Sequence, residues 1–307
     1  MKWNCTGNPA GLRYATKWYM DAAHAPVGFC FSISWGLGVP RCPCQTAFLF
    51  NSNGDSITIS NELVNSGKSI AKAGRMLKFA VPHIYSSHHF LLRQWLNPFG
   101  VKAGKDFEIV VLPPSLMAPS LAEGFIDGFC VGEPFGSIAV NQKAGVIMKE
   151  SADLSPLHPE KALLVTDAFA QEREEQHLKM IAALSKAGKV CDTTEGRKEA
   201  AEILSRPEYL NMDSSIIGQS LFPGIDSMKS EDFHLFNRGV NEPTKDKANW
   251  VVNHMKSAGL IPDSIPKNDM KLGNFFRNDT YKKATSLAEN TKKKTPRDLP
   301  VNSAAIS

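Results

Sequence analysis

The sequence predicts a two-lobed α/β protein, on three observations. At 307 residues the chain exceeds the size at which one hydrophobic core usually stops growing, so two lobes are expected. Between Leu77 and Met148 short apolar runs alternate with helical segments in a β-α-β-α-β-α-β order, the sequence form of mostly parallel sheets joined by crossover helices. After Thr166 the pattern changes to long helices, which predicts a helical C-terminal part.

Each element rests on its own signal. Pro26 to Trp35 is an apolar, helix-like run closed by Gly36 and Gly38. Gln45 to Phe50 is rich in strand formers and ends at the turn Asn51-Ser-Asn-Gly-Asp55, after which Ile57-Thr-Ile59 alternates as a short strand. Ser60 to Lys72 reads as a helix capped by Ser60 or Asn61. Leu77 to Val81 is a buried strand, and Ser86 to Leu96 carries Phe90, Leu91, Trp95 and Leu96 at helical spacing. Phe107 to Leu112 is the next strand, stopped by Pro113-Pro114 before a short helix to Ala122. Ile126 to Val131 follows as a strand, Glu133 to Ala144 as a helix, and Val146 to Met148 and Ala162 to Thr166 as strands. Helices are expected over Glu172 to Gly188, Glu195 to Ser205 and Lys247 to Ala258. This order places residues 76–153 as a second lobe inserted between 1–75 and 154–290, which together form the first. Two crossings between lobes make a hinge. Residues 291–307, with the basic run Lys292 to Arg297 among Pro, Ser and Asn, read as a flexible tail.

Composition narrows the function classes. With 42% apolar and 21% charged residues the chain is an ordinary globular protein, and its net charge of +4 is mild. The basic tail lacks interleaved aromatics, so no nucleic-acid partner is expected. Cys5, Cys30, Cys42, Cys44, Cys130 and Cys191 form no C-x-x-C pair, and free, buried thiols are the expectation. No run of eighteen apolar residues could span a bilayer. The first residues show no secretory pattern, so the chain as written is expected in the cytoplasm, and in the periplasm or cell envelope if its true start lies upstream. No nucleophile elbow, Walker loop, dinucleotide fingerprint or H-E-x-x-H helix occurs, and no enzymatic activity is expected. Cys130 with His88 as base is the one pairing an enzyme could use, and a buried strand thiol is the plainer reading.

The most informative runs are Asp127-Gly-Phe-Cys-Val-Gly-Glu-Pro134 and His158-Pro-Glu-Lys161. The first is an apolar strand end running into Gly132 and a helix start at Pro134, the kind of edge where open α/β sheets hold ligands. Together with Val110-Val-Leu-Pro-Pro114 and Ser87-His88, these runs resemble the solute-binding proteins of nitrate and bicarbonate ABC transporters and their cytoplasmic nitrate-sensing relatives. The resemblance covers roughly Asp21 to Leu287. It implies a type II periplasmic-binding-protein-like fold, and relatives begin with further strand and helix units that would precede Asp21. It implies a solute-binding role for a small oxyanion, nitrate first, then nitrite or bicarbonate, with ABC permease subunits as partners. The alternative it implies is a cytoplasmic nitrate or nitrite sensor acting on a regulatory protein.

Holding a desolvated oxyanion takes hydrogen-bond donors of positive character. His88 at a helix start and Lys161 beside a strand resemble the anion-contacting His and Lys of the nitrate binders. A polar helix start and a surface lysine are the plain alternatives. Asp55 departs from the resemblance: where nitrate binders carry Gln or Asn after the turn glycine, this chain has a carboxylate that repels an anion. Asp55 either pairs with Lys161, or faces away, or serves a neutral, cationic or metal-bound ligand, and aspartate is also simply a good turn residue. Asn51, Asn53, Asp55 and Glu62 fall at calcium-loop spacing, but Ser56 stands where the loop needs Gly. Bicarbonate relatives use calcium with an acidic residue where this chain has Lys161. That lysine favours an anion without metal, so no metal or cofactor is expected, and Glu133 is the only further candidate for one.

Overall fold

The computed structural model describes residues 3–4, 20–65, 70–222, 233–266 and 271–292. Cys5 and most of the basic tail lie outside the described residues. Two sheets organise the chain, each built around one strand that runs against its neighbours. The first contains β1 (Trp3–Asn4), β2 (Ala22–Pro26), β3 (Cys44–Leu49) and β10 (Lys161–Thr166), in the order β1-β2-β10-β3. β10 is antiparallel to both β2 and β3, whereas β1 and β2 are parallel. The second contains β5 (Asp55–Ser60), β6 (Leu77–Val81), β7 (Phe107–Val111), β8 (Gly128–Gly132) and β9 (Gly145–Glu150), in the order β7-β6-β8-β5-β9. β6 is parallel to β7 and β8, and β5 is antiparallel to β8 and β9.

In both sheets the reversed strand is the first that the chain lays down after changing lobes. The crossing out lies at Gly54, so β5 and the short helix α2 (Asn61–Asn65) belong with the second sheet, where Leu63 joins its core. This moves the start of the second lobe from the expected residue 76 to about residue 55. The local pattern of Asp55 to Ser60 is simply that of a strand, and its long-range partners decide its lobe.

Strand residues alternate between two apolar layers, as a sheet covered on both faces requires. In β10, Ala162 and Leu164 face α1 (Phe29–Trp35) and α11 (Lys245–Ser257), while Leu163 and Val165 face α8 (Glu174–Cys191) and α12 (Asn278–Lys292). In the second sheet Leu77, Phe79, Val81 and Cys130 pack under α3 (Ser87–Leu96), while Ala80, Phe129 and Val131 pack under α4 (Pro114–Ala122) and α5 (Phe135–Asn141). Two short helices, α6 (Ser151–Leu154) and α7 (Asp167–Glu172), directly follow β9 and β10.

Several boundaries differ from the sequence expectation for physical reasons. Ala22 to Pro26, expected to open a helix at Pro26, is strand β2, because pairing with β10 outweighs the weak strand preference of alanine. The helix begins at Phe29, buries all seven of its residues, and ends at Gly36, whose φ of 71° supplies the left-handed cap. The helix expected over Ser60 to Lys72 is α2 followed by a 3₁₀ turn at Ile70–Lys72, with 66–69 outside the described residues. Pro134 precedes α5 in a cis peptide rather than lying inside it. Five cysteines are free thiols, four of them buried. Among the described residues no helix is long and apolar enough to cross a membrane.

The two crossings run side by side. Phe50 N–H donates to the Lys161 carbonyl at 2.8 Å, Glu160 N–H donates to the Asn51 carbonyl at 3.3 Å, and Ser52 bridges to Pro159. β4 (Ser52–Asn53) also pairs with β11 (His234–Leu235) from the C-terminal part. At Gly54, φ is +89° and an added Cβ would stand 2.7 Å from the His234 ring, so the turn into β5 requires glycine. Trp250 of α11 touches the cores of both lobes and donates from Nε1 to Ser155 Oγ at 3.0 Å.

Candidate functional site: a charged cleft at the lobe crossing

A cleft of about 430 Å³ opens where the two crossings meet. Its walls are largely apolar, with Phe48 and Phe50 from the first lobe, Pro114 and Phe135 from the second, and Leu184 of α8. At its floor five ionisable groups converge: Asp55 at the start of β5, His88 in the first turn of α3, and His158, Glu160 and Lys161 on the returning crossing. Their positions follow from the backbone. Gly54 turns Asp55 inward, α3 points its N-terminal turn at the crossing, and Pro159 sits between His158 and Glu160.

The contacts are close. His88 Nε2 stands 3.2 Å from Asp55 Oδ1 and 3.3 Å from Glu160 Oε1. His158 Nε2 stands 3.1 Å from Asp55 Oδ2, while its Nδ1 donates to the Ser155 carbonyl at 3.0 Å. Lys161 Nζ donates to Glu160 Oε1. The Asp55 and Glu160 side chains are 2% exposed, His88 4%, and Lys161 19%, so the lysine alone of these reaches toward the open cleft.

The structure brings His88, Lys161 and Asp55 together at the lobe crossing. Of the arrangements open for Asp55, it selects one the sequence did not suggest: Asp55 faces inward and engages the two histidines, while Lys161 pairs with Glu160 instead. His158 and Glu160 are the residues that sequence reasoning left without a role, although they lie in the run it singled out. Glu133 also lines the cleft, but its carboxylate is occupied, accepting from Ser56 Oγ at 2.7 Å and from the Ser137 amide and hydroxyl at 3.1 and 2.7 Å.

Electrostatics follow from burial and neighbours. Burial alone would raise the Asp55 pKa, but the adjacent imidazoles, His88 first and then His158, hold it well below the usual carboxylate range. Burial pushes His88 down, with Lys161 adding to this and Asp55 opposing it. Burial likewise lowers Lys161 to about 8 against the pull of Asp55. On the first-lobe side, His24 is lowered to about 4 by burial and by the charge of Lys161. Cys130 is 1% exposed and burial holds its thiol well above the ordinary range, so it is no ready nucleophile.

With both histidines neutral, Asp55, Glu160 and Lys161 leave one net negative charge at the floor. Such a site accepts a proton, a cation, or an anion accompanied by one of these.

A two-lobed α/β frame with its cleft at paired crossings defines the type II periplasmic-binding-protein-like architecture. The crystal structure of the periplasmic nitrate-binding protein of Synechocystis matches this fold with a TM-score of 0.83 at 22% identity, over 94% of this chain and 80% of that one. The chain belongs to the NMT1-like family, whose model matches residues 10–205. In sequence it is similar to the nitrate import ATP-binding protein of Synechocystis, 28% identical over 266 residues, which are 81% of this chain and 39% of the relative. The nitrate/nitrite binding protein of Synechococcus elongatus is 26% identical over 253 residues, 76% of this chain and 57% of the relative. The match therefore spans only 39% and 57% of the length of these two curated relatives.

Proposed function

We propose that the chain is the solute-binding unit of an ABC-type uptake system for a small oxyanion, nitrate in the first place, working with permease subunits at the cell envelope. The observation that carries this reading is the convergence of His88 and Lys161 on one point of a cleft at the lobe crossing. Both can donate to an anion, and His88 does so from a helix N-terminus. The relatives named for nitrate import and nitrate binding support the choice of ion. The protein binds and hands over without chemistry, its lobes closing on the ion and then releasing it. Two paired crossings with a glycine turn are the kind of connection on which such lobes rock.

Asp55 sets a condition on this function. Its carboxylate makes the floor anionic unless His88 or His158 carries a proton, so an entering oxyanion brings a proton with it or meets one there. Glu160 Oε1 holds the position to which both cationic side chains reach, and the ligand takes Lys161 Nζ from it. Calorimetric titration of the purified protein with nitrate, nitrite and bicarbonate tests the reading. Saturable heat with at least one of them is expected at millimolar concentration or below. Absence of heat with all three would end the oxyanion assignment.

A further inference from the structure

We infer that Asp55, His158 and Glu160, with His88 beside them, form a binding site for a divalent transition-metal ion of the zinc type. Asp55, His158 and Glu160 each present one ligand atom, all within 4.8 Å of one another and all buried. His88 Nε2 stands beside this group, 3.2 Å from Asp55 Oδ1 and 3.3 Å from Glu160 Oε1. Ligands at the 2.0–2.1 Å typical of zinc bonds to nitrogen and oxygen lie about 3.3–3.4 Å apart at the corners of a tetrahedron. The separation of 3.1 Å between His158 Nε2 and Asp55 Oδ2 falls close to that spacing.

The hydrogen-bond directions point the same way. The Ser155 carbonyl can only accept, so Nδ1 of His158 donates to it, and Nε2 faces Asp55 Oδ2, where it can hold either a proton or a metal ion. An imidazole nitrogen and a carboxylate oxygen at 3.1 Å need a positive centre between them, which a proton or a metal ion supplies. A backbone carbonyl on the far ring nitrogen is also how proteins orient a metal-binding histidine. Neither ring nitrogen of His88 has a hydrogen bond of acceptable direction, and Glu160 Oε2 has none either, although all three atoms are buried. Unsatisfied polar atoms this deeply buried are costly, and a cation at their centre would satisfy Nε2 of His88 and the carboxylate together.

An imidazole and two carboxylates, with a second imidazole at hand, suit zinc and its neighbours and are poor for calcium, which takes six to eight oxygens. Metal binding frees Lys161 from Glu160 and leaves its ammonium facing the cleft.

The inference does not rest on the oxyanion reading, and the experiment keeps the two apart. The purified protein is treated with a chelator, dialysed, and titrated calorimetrically with zinc chloride alone. A separate sample is titrated with nitrate in the absence of metal. One equivalent of zinc is expected, with affinity at least about tenfold weaker in each of Asp55→Asn and Glu160→Gln, the loss typical of damage to a metal site's ligand shell. Both variants keep side-chain size, and circular dichroism confirms that each is folded. Cobalt chloride supplies a second readout, since a four-coordinate site of this kind gives strong visible absorption that the variants lack. The site is refuted if zinc produces no saturable heat, if either folded variant binds zinc as the parent does, or if calcium binds as tightly as zinc. Nitrate heat without zinc heat would overturn the metal site and leave the oxyanion reading standing. Zinc heat without heat from nitrate, nitrite or bicarbonate would do the reverse.

Discussion

His88 and Lys161 reach for the same atom. His88 Nε2 lies 3.3 Å from Glu160 Oε1, and Lys161 Nζ donates to that oxygen as well. One residue comes from the first turn of a helix in the second lobe, the other from the first residue of the strand that re-enters the first lobe. An oxygen of the protein itself thus occupies the point on which two donors from opposite lobes converge. Glu160 is the internal competitor of any anionic guest. The apparent affinity for such a guest is what remains after that competition and the charge of Asp55.

Substituting Asp55→Gln removes the second of these obstacles while keeping an acceptor for His158. Two unit charges about 4 Å apart at a partly buried site interact by about 4 kcal/mol before screening and relaxation. A realised gain of about 1–2 kcal/mol, or about tenfold in nitrate affinity, is expected. Calorimetry at constant pH reads it. Unchanged affinity would mean that the Asp55 charge is already neutralised by its histidines when the anion enters.

Lys161→Met keeps much of the apolar stem and deletes the ammonium. Hydrogen bonds to charged groups are worth about 1.5–3 kcal/mol, so nitrate binding should weaken by about ten- to a hundredfold. Glu160 is left buried without its cation, and the melting temperature should fall too. Glu160→Gln in the same background should restore stability but not binding, which separates the two roles of the lysine.

The frame of the molecule is legible in the sequence where burial on both faces leaves continuous apolar runs. Leu77 to Val81 and Lys161 to Thr166 lie within a residue of expectation for that reason, and Phe107 to Val111, a half-exposed edge strand, is marked instead by its β-branched residues. Ala22 to Pro26 is not legible, because its strand state comes from β10, which lies far along the chain. Asp55 to Ser60 is readable as a strand, but its place between β8 and β9 is a long-range fact that local pattern cannot carry. The site shows the same division. His88 and Lys161 are marked by the runs that carry the family resemblance. His158 and Glu160 flank a proline in one of those runs, yet nothing in composition says that their side chains turn inward to meet Asp55.

Acid should destabilise the protein through histidines away from the cleft floor. Burial lowers His83 to about 4, with His89 adding to the effect. It also lowers His177 to about 4, with Arg277 adding and Glu174 opposing. Both are depressed from an ordinary value of 6.5, so between about pH 6.5 and 4 the unfolded chain binds protons that the folded chain refuses. Stability is full above this window and is lost as pH falls through it, by roughly 1.4 kcal/mol for each unit of depression at each site. Urea denaturation at a series of pH values measures the slope. His177→Phe, which keeps a ring against Phe169, should flatten it, and an unchanged slope would remove His177 as a contributor.

Arg197 should prove the most sensitive charged residue outside the cleft. Its guanidinium donates to the carbonyls of Leu221 and of His234, the latter at 2.6 Å, and stands 3.4 Å from Asp192 Oδ1. The two Asp192 oxygens in turn accept from the Phe236 and Asn237 amides at 2.9 and 2.8 Å. This network fastens α9 (Thr194–Leu204) and α10 (Ser214–Leu221) to β11, the strand that pairs with the outward crossing. Arg197→Met leaves two carbonyls without their side-chain donor and Asp192 without its cation, a loss of about 3–5 kcal/mol. Thermal unfolding followed by circular dichroism should show a large drop in midpoint. Because β11 braces Ser52 and Asn53, hydrogen exchange at the crossing amides should rise in the same variant. A lowered midpoint with unchanged exchange at those amides would show that β11 does not hold the crossing in place.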